Sequence, residues 1–81
     1  MAVSPALTFS SLRKGMSARV VSAPRAEGES RRLQEMGLTK GTTFRVVKVA
    51  PFGDPVEIDL RGYRLCLRKN ETYGFEIEPL A

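Results

Sequence analysis

Two segments in which apolar and polar residues alternate strictly, 56–61 and 63–68, limit what this 81-residue chain can fold into. Such alternation is typical of strands that bury one face. A two-residue turn at 61–62 would pair the segments so that all their apolar side chains share that face. These side chains are Val56, Ile58, Leu60, Tyr63, Leu65 and Leu67. Because a register shift of one residue would destroy the match, we predict a β-hairpin in which Asp59 opposes Arg64 on the outer face.

Three further segments rich in β-forming residues predict strands over 18–24, 42–50 and 73–79. In the last of these, alternation is expected to turn Tyr73, Phe75 and Ile77 towards the core. One α-helix is predicted at about 27–37.

The end of the predicted helix has its own sequence signal. Gly37 falls where a left-handed residue belongs, and Leu38 follows it in position to contact Leu33 in the last helical turn. This spacing predicts a Schellman ending.

Five short strands and one helix in a chain of this size indicate a mainly β fold. We predict a small, strongly bent β-barrel with one inserted α-helix and short helical turns. Residues 1–8 show no period and are expected to form a loose tail. Residues 9–81 are expected to form a single domain, because the chain is too short for two.

A short sequence echo relates residues 12–21 to residues 38–47, which share the pattern L-x-K-G-x-x-x-R-V-V. Two copies are too few for a repeat architecture. We expect each Lys-Gly turn to lead into its strand in a similar way. Phosphate binding by the glycine amides is the alternative, although neither copy has the phosphate-loop pattern.

The stretch VAPFGDPVEI, between the second predicted strand and the hairpin, predicts a stiff corner. Pro51 and Pro55 restrict the backbone at its ends, and Gly53 with Asp54 supplies the turn. Phe52 has no role in such a corner. We expect its ring to cover one end of the barrel. Docking of the ring into a partner is the alternative, because a rigid loop loses little entropy on binding.

The chain contains one cysteine, Cys66, and no histidine. An internal disulfide is therefore excluded, which suits a reducing compartment, and the usual zinc and iron sites cannot be assembled. No apolar run approaches the length of a membrane span, and the first residues do not resemble a secretory signal. We expect a cytoplasmic protein without cofactor or resident metal, although a weak carboxylate site for a divalent cation stays open.

No group in the sequence is arranged for catalysis. Cys66 has no histidine base to activate it, and alternation places it on a strand beside arginines. Glu57 and Asp59 lie on one strand face, where charge balance against Arg61 and Arg64 explains them. Because no nucleotide-binding loop is present either, we expect a binding module and not an enzyme.

The charge is unevenly placed, since residues 1–48 carry +6 and residues 49–81 carry −2, for a total of +4. A basic half is compatible with a solvated surface or an acidic partner. Nucleic-acid binding is an alternative, but it usually needs exposed aromatic platforms. Of the six aromatic residues, the predicted core leaves only Phe52, and less clearly Phe9, so no nucleic-acid partner is expected.

Four motifs in succession resemble the FeoA family of bacterial ferrous iron uptake. They are R-x-L-x-x-M-G-L, G-x-x-x-x-V, A-P-x-G-D-P and R-G-x-x-x-x-L-R, and the likeness runs from about Leu12 to Ile77. The resemblance implies an SH3-like β-barrel with a helical insertion. It also implies a small cytoplasmic protein that accompanies FeoB, a membrane transporter with a cytosolic GTPase domain, and supports Fe²⁺ import by binding this transporter.

On this basis we expect an adaptor that docks on the cytosolic region of FeoB and modulates its activity or assembly. The candidate contact residues are Phe52 and Asp54 in the corner, with Arg31 and Arg32 on the helix. The protein would reach the membrane only through that partner. Homodimer formation stays open, because a small barrel can pair through a strand edge. The domain also resembles the C-terminal module of iron-dependent repressors, so an iron-responsive regulatory module is a further alternative.

Overall fold

The computed structural model describes residues 9–80, so the loose tail expected at 1–8 lies outside the described residues. The elements are, in chain order, a first 3₁₀ turn (Phe9–Ser11), β1 (Ser17–Ser22), α1 (Ser30–Glu35), β2 (Thr43–Val49), β3 (Val56–Leu60), β4 (Tyr63–Leu67), a second 3₁₀ turn (Lys69–Glu71) and β5 (Glu76–Leu80). The strands form one antiparallel sheet in the order β4-β3-β2-β1-β5. The predicted mainly β fold with an inserted helix is confirmed.

The β3–β4 hairpin has the predicted register in all five residue pairs. The turn residues Arg61 and Gly62 have φ angles of +53° and +90°, as a two-residue turn between right-twisted strands requires. Of the six apolar side chains expected on the inner face, five are buried and Tyr63 stays 40% exposed. The Tyr63 hydroxyl donates to the carbonyl of Met36, so its ring lies against the end of α1.

The outer face of the hairpin carries an ion pair different from the one that the sequence suggested. Asp59 opposes Arg64 as predicted, but Arg64 donates diagonally to the carboxylate of Glu57 at 3.0 Å. Asp59 accepts a hydrogen bond from the N–H of Gly62 at 3.1 Å. The Asp59 carboxylate is thus bonded to the Gly62 amide of the turn, and Arg64 pairs with Glu57 instead.

The sequence echo corresponds to a local two-fold arrangement of β1 and β2. Gly15 in the first copy donates its N–H to the carbonyl of Val46 in the second, and Gly41 donates to the carbonyl of Val20 in the first, both at 2.8 Å. The two Lys-Gly turns therefore lead into their strands in the same way, as predicted. Because the sheet uses both glycine amides, they are not exposed for a phosphate group.

Helix α1 starts later than predicted, at Ser30, and contains six residues. The Ser30 hydroxyl donates to the carbonyls of Arg25 and Glu27, at 2.7 and 3.0 Å. These bonds satisfy carbonyls of the preceding segment locally and hold it in turns instead of a helix.

The helix ends as predicted. The N–H of Leu38 donates to the carbonyl of Leu33 at 2.9 Å, and the N–H of Gly37 donates to Gln34 at 3.1 Å. Gly37 has a φ of +106°, which a residue with a side chain rarely adopts. Leu33 and Leu38 are both fully buried, so the Schellman ending also anchors the helix to the core.

Two aromatic residues have positions opposite to those predicted. Phe9 is buried, with its ring centroid 5.7 Å from that of Phe44 and 5.8 Å from that of Phe75. Tyr73 is 67% exposed, because β5 begins only at Glu76 and alternation does not extend back to residue 73. Within residues 9–80, no helix is long and apolar enough to cross a bilayer.

Candidate docking site

The corner between β2 and β3 presents Phe52 to solvent. The N–H of Gly53 donates to the carbonyl of Ala50 at 2.8 Å, and the N–H of Ala50 donates to the carbonyl of Pro55 at 3.1 Å. These two bonds close the corner into a compact turn with Phe52 at its outer position. The side chain of Phe52 is 99% exposed. The expectation that this ring covers the end of the barrel is therefore wrong.

An apolar depression of about 140 Å³ lies beside the corner. Its apolar walls are the side chains of Phe9, Phe52, Val56 and Leu67. Polar groups of Asp54, Lys69 and Thr72 complete the lining. A concave apolar surface next to a protruding aromatic ring is typical of a site that takes up an apolar side chain from a partner.

Asp54 holds the corner in place. Its Oδ1 accepts a hydrogen bond from the backbone N–H of Lys69 at 2.8 Å. Lys69 is the first residue of the second 3₁₀ turn. The Asp54 carboxylate therefore connects the corner to that turn. Although Asp54 is exposed, its side chain stabilises the structure of the corner.

Arg32 ties α1 to the same turn. Its Nε and Nη2 donate to the two carboxylate oxygens of Glu71 at 2.7 and 2.8 Å, and Nη2 also donates to the carbonyl of Cys66 at 2.9 Å. The hydrogen bond from Arg32 lowers the pKa of Glu71, and the same bond raises the pKa of Arg32. Two nitrogen atoms of the Arg32 guanidinium, Nε and Nη2, are therefore already used in hydrogen bonds within the domain.

The four candidate contact residues do not form one cluster of side chains. Asp54 and Arg32 meet the second 3₁₀ turn from two sides, through Lys69 and Glu71. Arg31 is exposed and donates to the carbonyl of Ala26 at 3.2 Å, outside this network. Their role in binding a partner stays a prediction.

Sequence reasoning missed the contribution of Glu71. Its carboxylate accepts the backbone N–H of Arg68 at 3.2 Å as well as the guanidinium of Arg32. The available signal was an acidic residue three positions after Arg68, the spacing of a side chain that caps a helical turn. Its second partner is 39 residues away in the sequence and could not be identified from local spacing.

The part of the chain from 9 to 80 contains no group of three Cys, His, Asp or Glu side chains placed to hold a metal ion. Cys66 is exposed on β4 and opposes Glu57 on β3. The carboxylate of Glu57 is already bonded to Arg64.

Comparison with known proteins identifies the family. The family model described as the FeoA domain matches residues 7–78. The chain belongs to the FeoA family. A curated relative from Porphyromonas gingivalis, named Fe(2+) transport protein A/Fe(2+) transporter FeoB fusion protein, is 35% identical over an aligned length of 78 residues, and the match covers 93% of this FeoA chain. The chain spans only 9% of the length of that relative.

Solved structures of FeoA proteins have the same fold. FeoA from Chlorobium tepidum, solved by NMR, is 36% identical with a TM-score of 0.78, and the match covers 93% of this chain and 71% of that one. FeoA from Stenotrophomonas maltophilia, crystallised with zinc and described as a prokaryotic SH3 domain protein, is 31% identical with a TM-score of 0.72. That match covers 90% of this chain and 91% of the other. The predicted SH3-like fold is therefore confirmed.

Proposed function

We propose that this FeoA chain is a non-enzymatic adaptor of ferrous iron uptake that binds the cytosolic region of a FeoB-type transporter and modulates its activity or assembly. The observation that carries the proposal is the fusion relative, in which an FeoA region and an Fe(2+) transporter share one polypeptide. Two proteins that are fused in one organism commonly work together as separate chains in another. The adaptor would act on the cytoplasmic side of the membrane, which it reaches through its partner.

Phe52 and the depression beside it are the proposed contact surface. An exposed aromatic ring on a turn closed by two backbone bonds can enter a partner pocket with little loss of conformational entropy. The depression can receive an apolar side chain of the partner in return. Asp54 would contribute by holding the corner, and Arg31 by its exposed charge.

The decisive experiment measures binding of the purified chain to full-length FeoB from the same organism, reconstituted in nanodiscs, with and without guanine nucleotide. Phe52→Ala should weaken binding by about tenfold or more, as expected for a central aromatic anchor. Because the ring is fully exposed, the variant should keep its melting temperature within about 2 °C.

Val21→Ala is the matched control, since it also removes an exposed apolar side chain, on β1. It should leave affinity unchanged. Absence of binding between the wild-type chain and full-length FeoB would refute the adaptor function. Binding that Phe52→Ala leaves intact would refute the contact surface alone.

A further inference from the structure

A basic groove crosses the outer face of the sheet. It consists of two depressions of about 240 and 350 Å³ that share Arg45 and Asp59. Four of its lining side chains are basic and one is acidic: Lys14, Arg45, Arg61, Arg64 and Asp59. We use the name basic groove for these five residues, none of which lines the depression beside Phe52.

Strand register produces the centre of the groove. Arg45 on β2 opposes Asp59 on β3, and Asp59 in turn opposes Arg64 on β4. The three side chains therefore lie in one cross-strand row, with neighbouring Cβ atoms about 5 Å apart. Phe44 and Val46, on either side of Arg45 in the sequence, are buried, so alternation turns the row outward.

The single carboxylate does not neutralise the cations around it. Asp59 accepts the N–H of Gly62, and Arg64 is paired with Glu57. For Lys14, Arg45 and Arg61, the residues from 9 to 80 provide no carboxylate oxygen within 4.0 Å. The groove therefore presents an excess of positive charge to solvent.

The two copies of the sequence echo give an internal comparison. Arg19 occupies the position in the first copy that Arg45 occupies in the second. Arg19 donates to the carboxylate of Glu78 on β5 at 2.8 Å. Arg45 has an aspartate directly opposite, but that aspartate is turned towards the hairpin. One arginine is thus paired with a carboxylate within the sheet, whereas its counterpart has no ion pair with residues 9–80.

The distribution of charge favours an acidic polypeptide over nucleic acid. Lys14 and Arg64 line one depression and Arg61 lines the other, so the cations are spread along the groove instead of surrounding a single phosphate group. Asp59 in the middle repels a continuous phosphate backbone. Among the described residues that line the groove, none is an exposed aromatic on which a base could stack.

A polypeptide can space its carboxylates to meet separate guanidinium groups and can donate a backbone N–H to Asp59. We infer that the basic groove binds an acidic polypeptide segment of a partner protein. This interaction is independent of docking through Phe52, because the two surfaces share no lining residue.

The test measures fluorescence anisotropy of fluorescein-labelled decaglutamate titrated with the whole chain at low salt. Arg45→Glu should weaken binding about tenfold, because a central attraction becomes a repulsion. Arg25→Glu is the matched control: it makes the same change in net charge at an exposed position outside the groove, and it should weaken binding less than about twofold.

Asp59→Asn should tighten binding about twofold to fivefold, since it removes a repulsion, and asparagine can still accept the Gly62 N–H through its side-chain carbonyl. Amide NMR shifts of the wild-type chain give a readout that depends on no variant. On addition of decaglutamate they should centre on Arg45, Asp59 and Arg64.

Three results would overturn the inference. The first is the absence of saturable binding, or shifts centred outside the groove. The second is an equal loss of affinity for decaglutamate in Arg45→Glu and Arg25→Glu, which would show that only the net charge of the protein matters. The third is tighter binding of a ten-nucleotide thymidine strand that Arg45→Glu abolishes, which would assign the groove to nucleic acid.

Discussion

Replacement of Arg32 by alanine should destabilise the domain far more than the same replacement of its neighbour Arg31. The Arg32 guanidinium makes two hydrogen bonds to the carboxylate of Glu71 and one to the carbonyl of Cys66. The side chain of Glu71 is only 13% exposed. Alanine at position 32 therefore leaves a largely buried carboxylate without its cation. Arg31 makes one bond at the surface, to the carbonyl of Ala26.

The expected loss in the free energy of unfolding lies between two limits. Hydrogen bonds to charged groups contribute about 1.5–3 kcal/mol where they are shielded, and exposed ion pairs contribute about 0.2–1 kcal/mol. Because the Arg32 side chain is 49% exposed, screening by solvent places the loss at about 1–2 kcal/mol. In a domain of this size, each kcal/mol changes the melting temperature by about 4–8 °C. We therefore expect Arg32→Ala to melt about 4–16 °C lower, and Arg31→Ala within about 2 °C of wild type.

Urea denaturation of Arg32→Ala, Glu71→Ala and the double variant measures the interaction itself. The double-mutant cycle should give a coupling free energy of about 1 kcal/mol. The cycle matters because each single variant also removes a bond outside the pair, to Cys66 or to the N–H of Arg68. Additive losses, or equal losses for Arg31→Ala and Arg32→Ala, would refute the assignment of a stabilising ion pair.

Three further outcomes follow from individual contacts. The pKa of Glu71 is lower in the folded chain than in the unfolded chain. The ionised carboxylate therefore adds to the free energy of unfolding above the ordinary glutamate pKa of about 4.3, and this stabilisation is lost as the pH falls through the pKa of the folded chain. Thermal melts from pH 7 to pH 3 should show wild type losing its advantage over Glu71→Gln in that acidic range, and a constant difference would contradict the assignment. Gly37→Ala forces a side chain into a φ of +106° and places its Cβ 3.1 Å from the Tyr63 hydroxyl oxygen, so urea denaturation should show a loss of about 1–2 kcal/mol. Ile58→Ala empties a fully buried position on β3 and should cost about 2–5 kcal/mol, whereas a loss below about 1 kcal/mol would mean that the core closes around the gap.

Prediction from the sequence succeeded where the pattern was short and repeated. The hairpin register was correct because six alternating apolar residues leave one way to share a face. The Schellman ending was correct because its bonds connect residues within one helical turn. The start of α1 was wrong, because the hydroxyl of Ser30 bonds back to Arg25 and Glu27 and an amphipathic pattern does not show this.

The candidate site was harder to predict than the fold. The sequence indicated that Phe52 had no role in the corner, yet the favoured account buried it, and only the closed turn showed the ring in solvent. The sequence also left Phe9 outside the core and placed Tyr73 in it, whereas the structure buries Phe9 and exposes Tyr73. An aromatic side chain suits both a core and a surface, and its position depends on where each strand begins.

By itself, the sequence determined the strand register of the hairpin, the helix ending, the stiff corner and membership of the FeoA family. All of these depend on residues within about a dozen positions of one another, or on motifs that can be compared directly. The tertiary structure alone decided which charges meet. Arg32 binds Glu71, which is 39 residues away in the sequence, and Arg19 binds Glu78, which is 59 residues away. Arg45 forms no ion pair with any residue from 9 to 80. The physical reason is that a side-chain charge attracts any opposite charge, and only the fold determines which one lies within hydrogen-bonding distance.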